Sequence, residues 1–172
     1  MTTIRRPQGE ELGAYYHGYL AAVPAGDVLA LLAQGLAETH ALLARFGEAR
    51  GAYRYAPGKW SVKDVVGHLI DAERVFAYRA LRMARGDATP LAGFEQDDYV
   101  AAAGADRRTL ADLQAELTSL RQANLRFFHG LEPAAWDRRG TASGNPFVVC
   151  AFPYLLAGHE IHHRRVLIER YL

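Results

Sequence analysis

The chain has 172 residues, 50% of them apolar and 23% charged, which suits one buried core and excludes a disordered or collagen-like chain. Twenty Lys and Arg against nineteen Asp and Glu leave a net charge of +1, without the basic excess that nucleic-acid phosphates select. A lone Cys150 forbids an intrachain disulfide, fits a reducing cytoplasm, and leaves imidazole or carboxylate to carry any metal chemistry.

Residues 1–13 carry Arg5, Arg6, Glu10 and Glu11 and no apolar run of secretory-signal length. Residues up to 25 mix aromatics with breakers, among them Tyr15, Tyr16, Tyr19 and Pro24. Asp27 is then placed to cap a helix whose apolar positions Val28, Leu29, Leu32, Leu36, Leu43 and Phe46 follow helical period, with Gly47 as its stop. After a turn-rich link, Ser61 and Asp64 form a capping pattern, and Val62, Val65, Val66, Leu69, Phe76, Ala80 and Met83 make one stripe. That second helix spans roughly 24 residues and ends near Arg85 and Gly86. Residues 86–105 hold Pro90, Glu95, Asp97 and Asp98 without sustained periodicity and are expected to form a long ordered loop.

Leu110, Leu113, Leu117, Leu120, Leu125 and Phe128 predict a third helix from about Asp106 to His129, closed by Gly130. A second irregular link contains Pro133, Gly140, Ser143, Gly144 and Pro146, and from there a fourth helix is expected to reach Leu172, with Pro153 confined to its first turn or to a kink. The near-apolar run from Pro146 to Gly158 is broken by Pro153 and falls short of the ~20 residues that span a bilayer, so no membrane helix is expected. No strand-like alternation competes. The expectation is all-α: a single domain over 1–172, an antiparallel four-helix bundle with long connections.

Seven histidines are spread along the chain. His159 and His163 stand four apart, so a helix stacks them on one face beside Leu155, Leu156 and Val166, where two imidazoles can share a cation. Such a pair also arises by chance, and core histidines bonded to backbone or to each other are the alternative. A third ligand decides. His68 lies on the edge of the second helix's stripe, beside Asp64, Asp71 and Ala72; with it, three imidazoles from two helices would leave an open, catalytic-type coordination position. His162 is the rival within the cluster, pairing with His159 at spacing three, but it points away from the His163 side of the face, and His17, His40 and His129 read as surface or capping residues.

The segments Tyr53, Tyr55, Pro57–Ser61, then Gly67, His68, Leu69, Asp71 and Glu73, then Gly93–Tyr99, and finally Gly158, His159, Glu160 and His163 resemble the DinB-like superfamily, close to its YfiT-type members, which are assigned as metal-dependent hydrolases. The resemblance covers nearly the whole chain. It implies an antiparallel four-helix bundle, commonly a homodimer, with one divalent transition metal (nickel, zinc or iron) held by His68, His159 and His163. It also implies thiol S-transfer of the bacillithiol or mycothiol type in part of the superfamily.

A metal with an open position favours thiolate over thiol, which suits thiol transfer to an electrophilic small molecule, or activates water, which suits hydrolysis. A non-catalytic metal- or thiol-binding protein is the third reading. Glu160 points about 100° away from its neighbour His159 and is a poor base. Asp64, Asp71, Asp97 and Asp98 read first as capping or solvated carboxylates, with orienting a ligand or substrate as the alternative, and Arg79 and Arg82 as candidate contacts for a carboxylate-bearing cosubstrate. Tyr53, Tyr55 and Trp60 read as packing residues or as an aromatic wall beside the metal, and Cys150 as a buried, inert thiol.

Overall fold

Capping chemistry sets where the helices begin. In the computed structural model, which describes residues 4–172, Asp27 Oδ1 accepts from the Leu29 amide at 3.0 Å and helix α2 runs Val28–Phe46. Residues 1–3, which open the segment read for a secretory signal, lie outside the described residues. A short helix α1 (His17–Ala22) precedes α2. Ser61 Oγ accepts from the Asp64 amide at 3.0 Å while Asp64 Oδ2 accepts from the Ser61 amide at 2.9 Å, a reciprocal box that starts α3 (Val62–Ala84).

The third long helix, α5, begins at Leu110 and ends at His129, later than the expected start at Asp106. Asp106 is engaged elsewhere: its carboxylate accepts from Ser61 Oγ at 2.6 Å and pairs with Arg54. Thr109 takes the cap instead, accepting from the Asp112 amide at 3.1 Å. The last helix, α6, is Ala151–Tyr171 and carries Pro153 in its first turn, where the missing N–H has no intrahelical role.

Two further elements differ from the expectation. Residues 86–105 are not all loop, because Gln96–Ala103 form helix α4, which buries only Val100 and stops at Gly104 with φ 63°. With one buried side chain, no apolar period is written in its sequence. Strands β1 (Arg139–Ala142) and β2 (Asn145–Val148) pair antiparallel, where strand structure was not expected and the fourth helix was placed from about 146. Ser143 (φ 51°) and Gly144 (φ 71°) form the two-residue turn, with the positive φ at both positions that matches a hairpin's twist. Four residues per strand, one of them Pro146, are too short to show alternation.

Helix α2 packs against α5 and α6, and α3 packs against the same two, so α2 and α3, neighbours in sequence, sit across a diagonal of the four-helix bundle. The hairpin closes one end against α3 and α6. Its Phe147 and Val148 join Phe128, Phe152 and Leu155 in the larger core cluster, while Val62, Val66, Leu113, Leu117 and Leu167 form the other. Cys150 is fully buried, and burial pushes its thiol up to about 11, in keeping with an inert core cysteine. Among the described residues no helix is long and apolar enough to cross a membrane.

Candidate metal centre

Helix α6 carries His159 and His163 one turn apart, and α3 lies against it with His68 on the facing side. All three are buried. His159 Nε2 stands 3.0 Å from His68 Nε2 and 3.1 Å from His163 Nε2, and one ligand atom from each ring lies within 4.8 Å of the others. These are the residues singled out in the sequence, and the fold brings them to one point. His162, the rival, is exposed and stays outside the group. His17 is exposed, with Nε2 2.8 Å from the Gly9 carbonyl, and His129 is exposed.

Hydrogen bonding among the rings does not satisfy this arrangement. A neutral imidazole nitrogen holds either one proton or one in-plane lone pair, so His159 Nε2 can serve only one of its two neighbours well. Burial makes the three rings poor cations: it pushes His68 down to about 4 and His163 down to about 3, and lowers His159 well below the usual histidine range. Three neutral nitrogens with converging lone pairs fit one divalent cation, since two nitrogens bound at about 2.1 Å and roughly a right angle lie about 3 Å apart. Imidazole-only donors suit zinc, nickel, copper and iron alike.

Aromatic rings wall the centre. Trp60 lies 4.8 Å from His68 and stacks on His163 at 6.3 Å between centroids, so it forms the wall that the sequence left open as one role. Tyr53 and Tyr55 instead pack edge-on to Tyr171, at the end of α6. Tyr19 and Phe76 meet His159 edge-on at 5.4 and 6.0 Å. Beyond them opens a cavity of about 380 Å³, whose lining includes His68, His159, Tyr16, Tyr19, Glu95 and Asn145.

The carboxylates divide. Asp64 is committed to its cap and to Arg54 at 2.5 Å. Asp71 faces a different cleft, with Tyr99 and Arg108, and burial raises its carboxyl above the usual range. Asp97 lines a cleft with Trp60 and His163, and its charge raises His68 against the larger effect of burial. Asp98 is exposed on α4. Glu160 points away from the centre as expected, into a buried network: Arg121 donates to it at 2.9 Å through Nη1 and to both oxygens of Glu73 at 2.8 Å. Thr39 Oγ adds a 2.6 Å bond to Glu160, and Asn124 a 3.1 Å bond to Glu73.

The cavity walls were largely invisible in the sequence, because Tyr16, Tyr19, Glu95, Ser143 and Asn145 come from loops and short elements with no period. Arg121 and Asn124 did leave a signal. They occupy core positions between Leu117 and Phe128 in the apolar stripe of α5, where a polar side chain needs a buried partner.

YfiT from Bacillus subtilis, described as a probable metal-dependent hydrolase with an unusual four-helix bundle topology, superposes with a TM-score of 0.74 at 16% identity, covering 83% of this chain and 82% of its own. A mycothiol-dependent maleylpyruvate isomerase superposes with a TM-score of 0.67 at 14% identity over 84% of this chain, which spans 61% of that longer protein. No curated protein matches the chain. A model of the DinB superfamily matches residues 16–167, and with a four-helix fold that agrees, the chain belongs to the DinB superfamily.

Proposed function

We propose that the protein is a metal-dependent enzyme in which His68, His159 and His163 hold one divalent transition metal and a small thiol is transferred to an electrophile. The observation that carries this is the convergence of three buried, neutral ring nitrogens beside an aromatic-walled cavity. When bound, such a metal favours the deprotonated form of a thiol or of water at its open position. The chain's own residues do the rest. Trp60, Phe76 and Tyr19 exclude water from the imidazoles, and the Tyr19 phenol, raised above its usual range by burial and a hydrogen bond with Tyr15, lines the cavity as a neutral hydroxyl. Asn145 and Gln96 line the same space and offer orienting amides. The mycothiol dependence of one structural neighbour supports the thiol reading.

Hydrolysis is the second reading. Glu95 lines the cavity that His68 and His159 share and is the carboxylate there that would serve as the base. One assay separates the readings. Metal-loaded protein is incubated with bacillithiol, mycothiol or glutathione and chlorodinitrobenzene, and in a parallel arm with 4-nitrophenyl acetate; thioether formation is followed by mass spectrometry and ester cleavage by nitrophenolate release. In the reaction the thiolate sulfur forms the new C–S bond, chloride leaves with the C–Cl electron pair, and the thiol proton passes to solvent. We expect product formation that a chelator abolishes. Ester hydrolysis with no thioether from any thiol would select the hydrolase, and silence in both would leave a binding protein.

A further inference from the structure

Arg79 is a buried cation with no counter-charge beside it. Its side chain is 2% exposed. Nη2 donates to the Ala92 carbonyl at 2.8 Å and to the Ser143 hydroxyl at 2.9 Å, whereas Nη1 is buried with no hydrogen-bond partner. Among the described residues it makes no ion pair, although its neighbours along α3 do: Arg74 with Glu116 at 2.5 Å, and Arg82 with Asp87. The other fully buried arginine, Arg121, has two carboxylates. Burying a guanidinium with two neutral acceptors, no counter-charge and one nitrogen unpartnered is unfavourable, so this site is incomplete as the chain alone builds it.

What completes it has a place to lie. A cleft of about 550 Å³ lies against Arg79, lined also by Val75, Tyr78, Leu91 and Phe94. Phe94 lines this cleft and also the cavity beside His68 and His159, and Ser143, which Arg79 holds, lines that cavity too. On α3, Arg79 follows His68 by eleven residues, which puts it about 20° round the helix and about 16 Å along it. The two cavities therefore occupy adjoining sectors of α3 and meet at Phe94.

We propose that Arg79 is the counter-charge for a carboxylate on the molecule that reacts at the three-histidine centre, so that an elongated substrate lies along α3 with its reactive end at His68 and His159 and its carboxylate at Arg79. The Phe94 ring lies 6.0 Å from Arg79 Cζ, at the junction of the two cavities, and a carboxylate that reaches the buried Nη1 requires a side-chain shift there. The reactive end of this assignment rests on the metal-enzyme reading. The carboxylate end does not.

The test uses metal-free protein, so that no bound metal competes for the carboxylate. Nuclear magnetic resonance titrations compare phenylbutyrate, the neutral phenylbutyramide and phenylpropyl phosphate. Phenylbutyrate is expected to bind at least about tenfold more tightly than the amide, shifting the Arg79 guanidinium and the Ala92, Phe94 and Ser143 resonances. Arg79→Met is expected to erase that preference and keep the amide's affinity; should this variant not fold, the guanidinium resonances of the wild-type chain decide. Equal binding of acid and amide, no binding of either, a preference that survives Arg79→Met, or a phosphate preferred over the carboxylate would overturn the assignment. A negative result here leaves metal binding at the histidines unaffected, and loss of the metal reading leaves the carboxylate result standing.

Discussion

Replacing Arg121 by methionine is expected to cost about 3–5 kcal/mol of stability, the largest effect of any single substitution considered for this chain. The guanidinium bridges Glu73 on α3 and Glu160 on α6 from its seat on α5, and Nη1 also donates to the Leu32 carbonyl of α2 at 2.7 Å. All four bundle helices thus meet at one side chain. Each partner carboxylate is 2% exposed, so its desolvation is already incurred, and removing the cation leaves two like charges in the interior, with Asn124 donating to Glu73, Thr39 donating to Glu160, and Arg164 Nη1 standing off at 3.9 Å from Glu160. Urea unfolding followed by circular dichroism measures the loss. Replacing Glu73 and Glu160 by Gln in the same chain is expected to recover much of it, because the buried charge is then gone. A loss below about 1 kcal/mol for Arg121→Met would mean that water reaches the network.

Gly158→Ala is expected to be the second most damaging change, and its sign decides between two effects. Helix propensity alone favours alanine over glycine by about 1 kcal/mol in a helix interior. Against this, a Cβ at Gly158 would lie 2.1 Å from the Tyr19 carbonyl oxygen and 2.5 Å from its carbon, which are backbone atoms of α1 with no rotamer to relieve the clash. Overpacking of this kind costs about 1–3 kcal/mol or more, so steric exclusion wins and α1 must lift from α6. Tyr19 then leaves His159, 5.4 Å away between ring centroids, and the wall of the candidate centre opens with it. Unfolding midpoints and proteolysis within residues 14–25 report both consequences. An unchanged or raised midpoint with intact protection would show that α1 does not sit on Gly158.

How much of this was legible in the sequence follows from where the information is local. Asp27, Ser61 and Asp64 announce α2 and α3 because a cap needs only two or three neighbouring residues. His159 and His163 announce themselves by spacing, and His68 by its seat at the edge of a stripe. The hairpin is set by two positive φ angles at Ser143 and Gly144, and a serine carries no strong mark of that conformation. Helix α4 rests on one buried valine. The start of α5 moved because Asp106 is spent on Ser61 and Arg54, partners 45 and 52 residues away in sequence. The cavity beside the histidines is assembled from separate segments, so its walls exist only once the chain has folded.

If His68, His159 and His163 together form one metal site, tight binding depends on each of the three. A competition titration of zinc into metal-free protein against a chromophoric chelator tests it most directly, with wild type beside alanine variants at each of the three positions. One tight equivalent is expected in the wild type and more than about a hundredfold weaker binding in each variant, with helical circular dichroism unchanged. Wild-type affinity in any of the three variants, or no tight equivalent in the wild type, would contradict it.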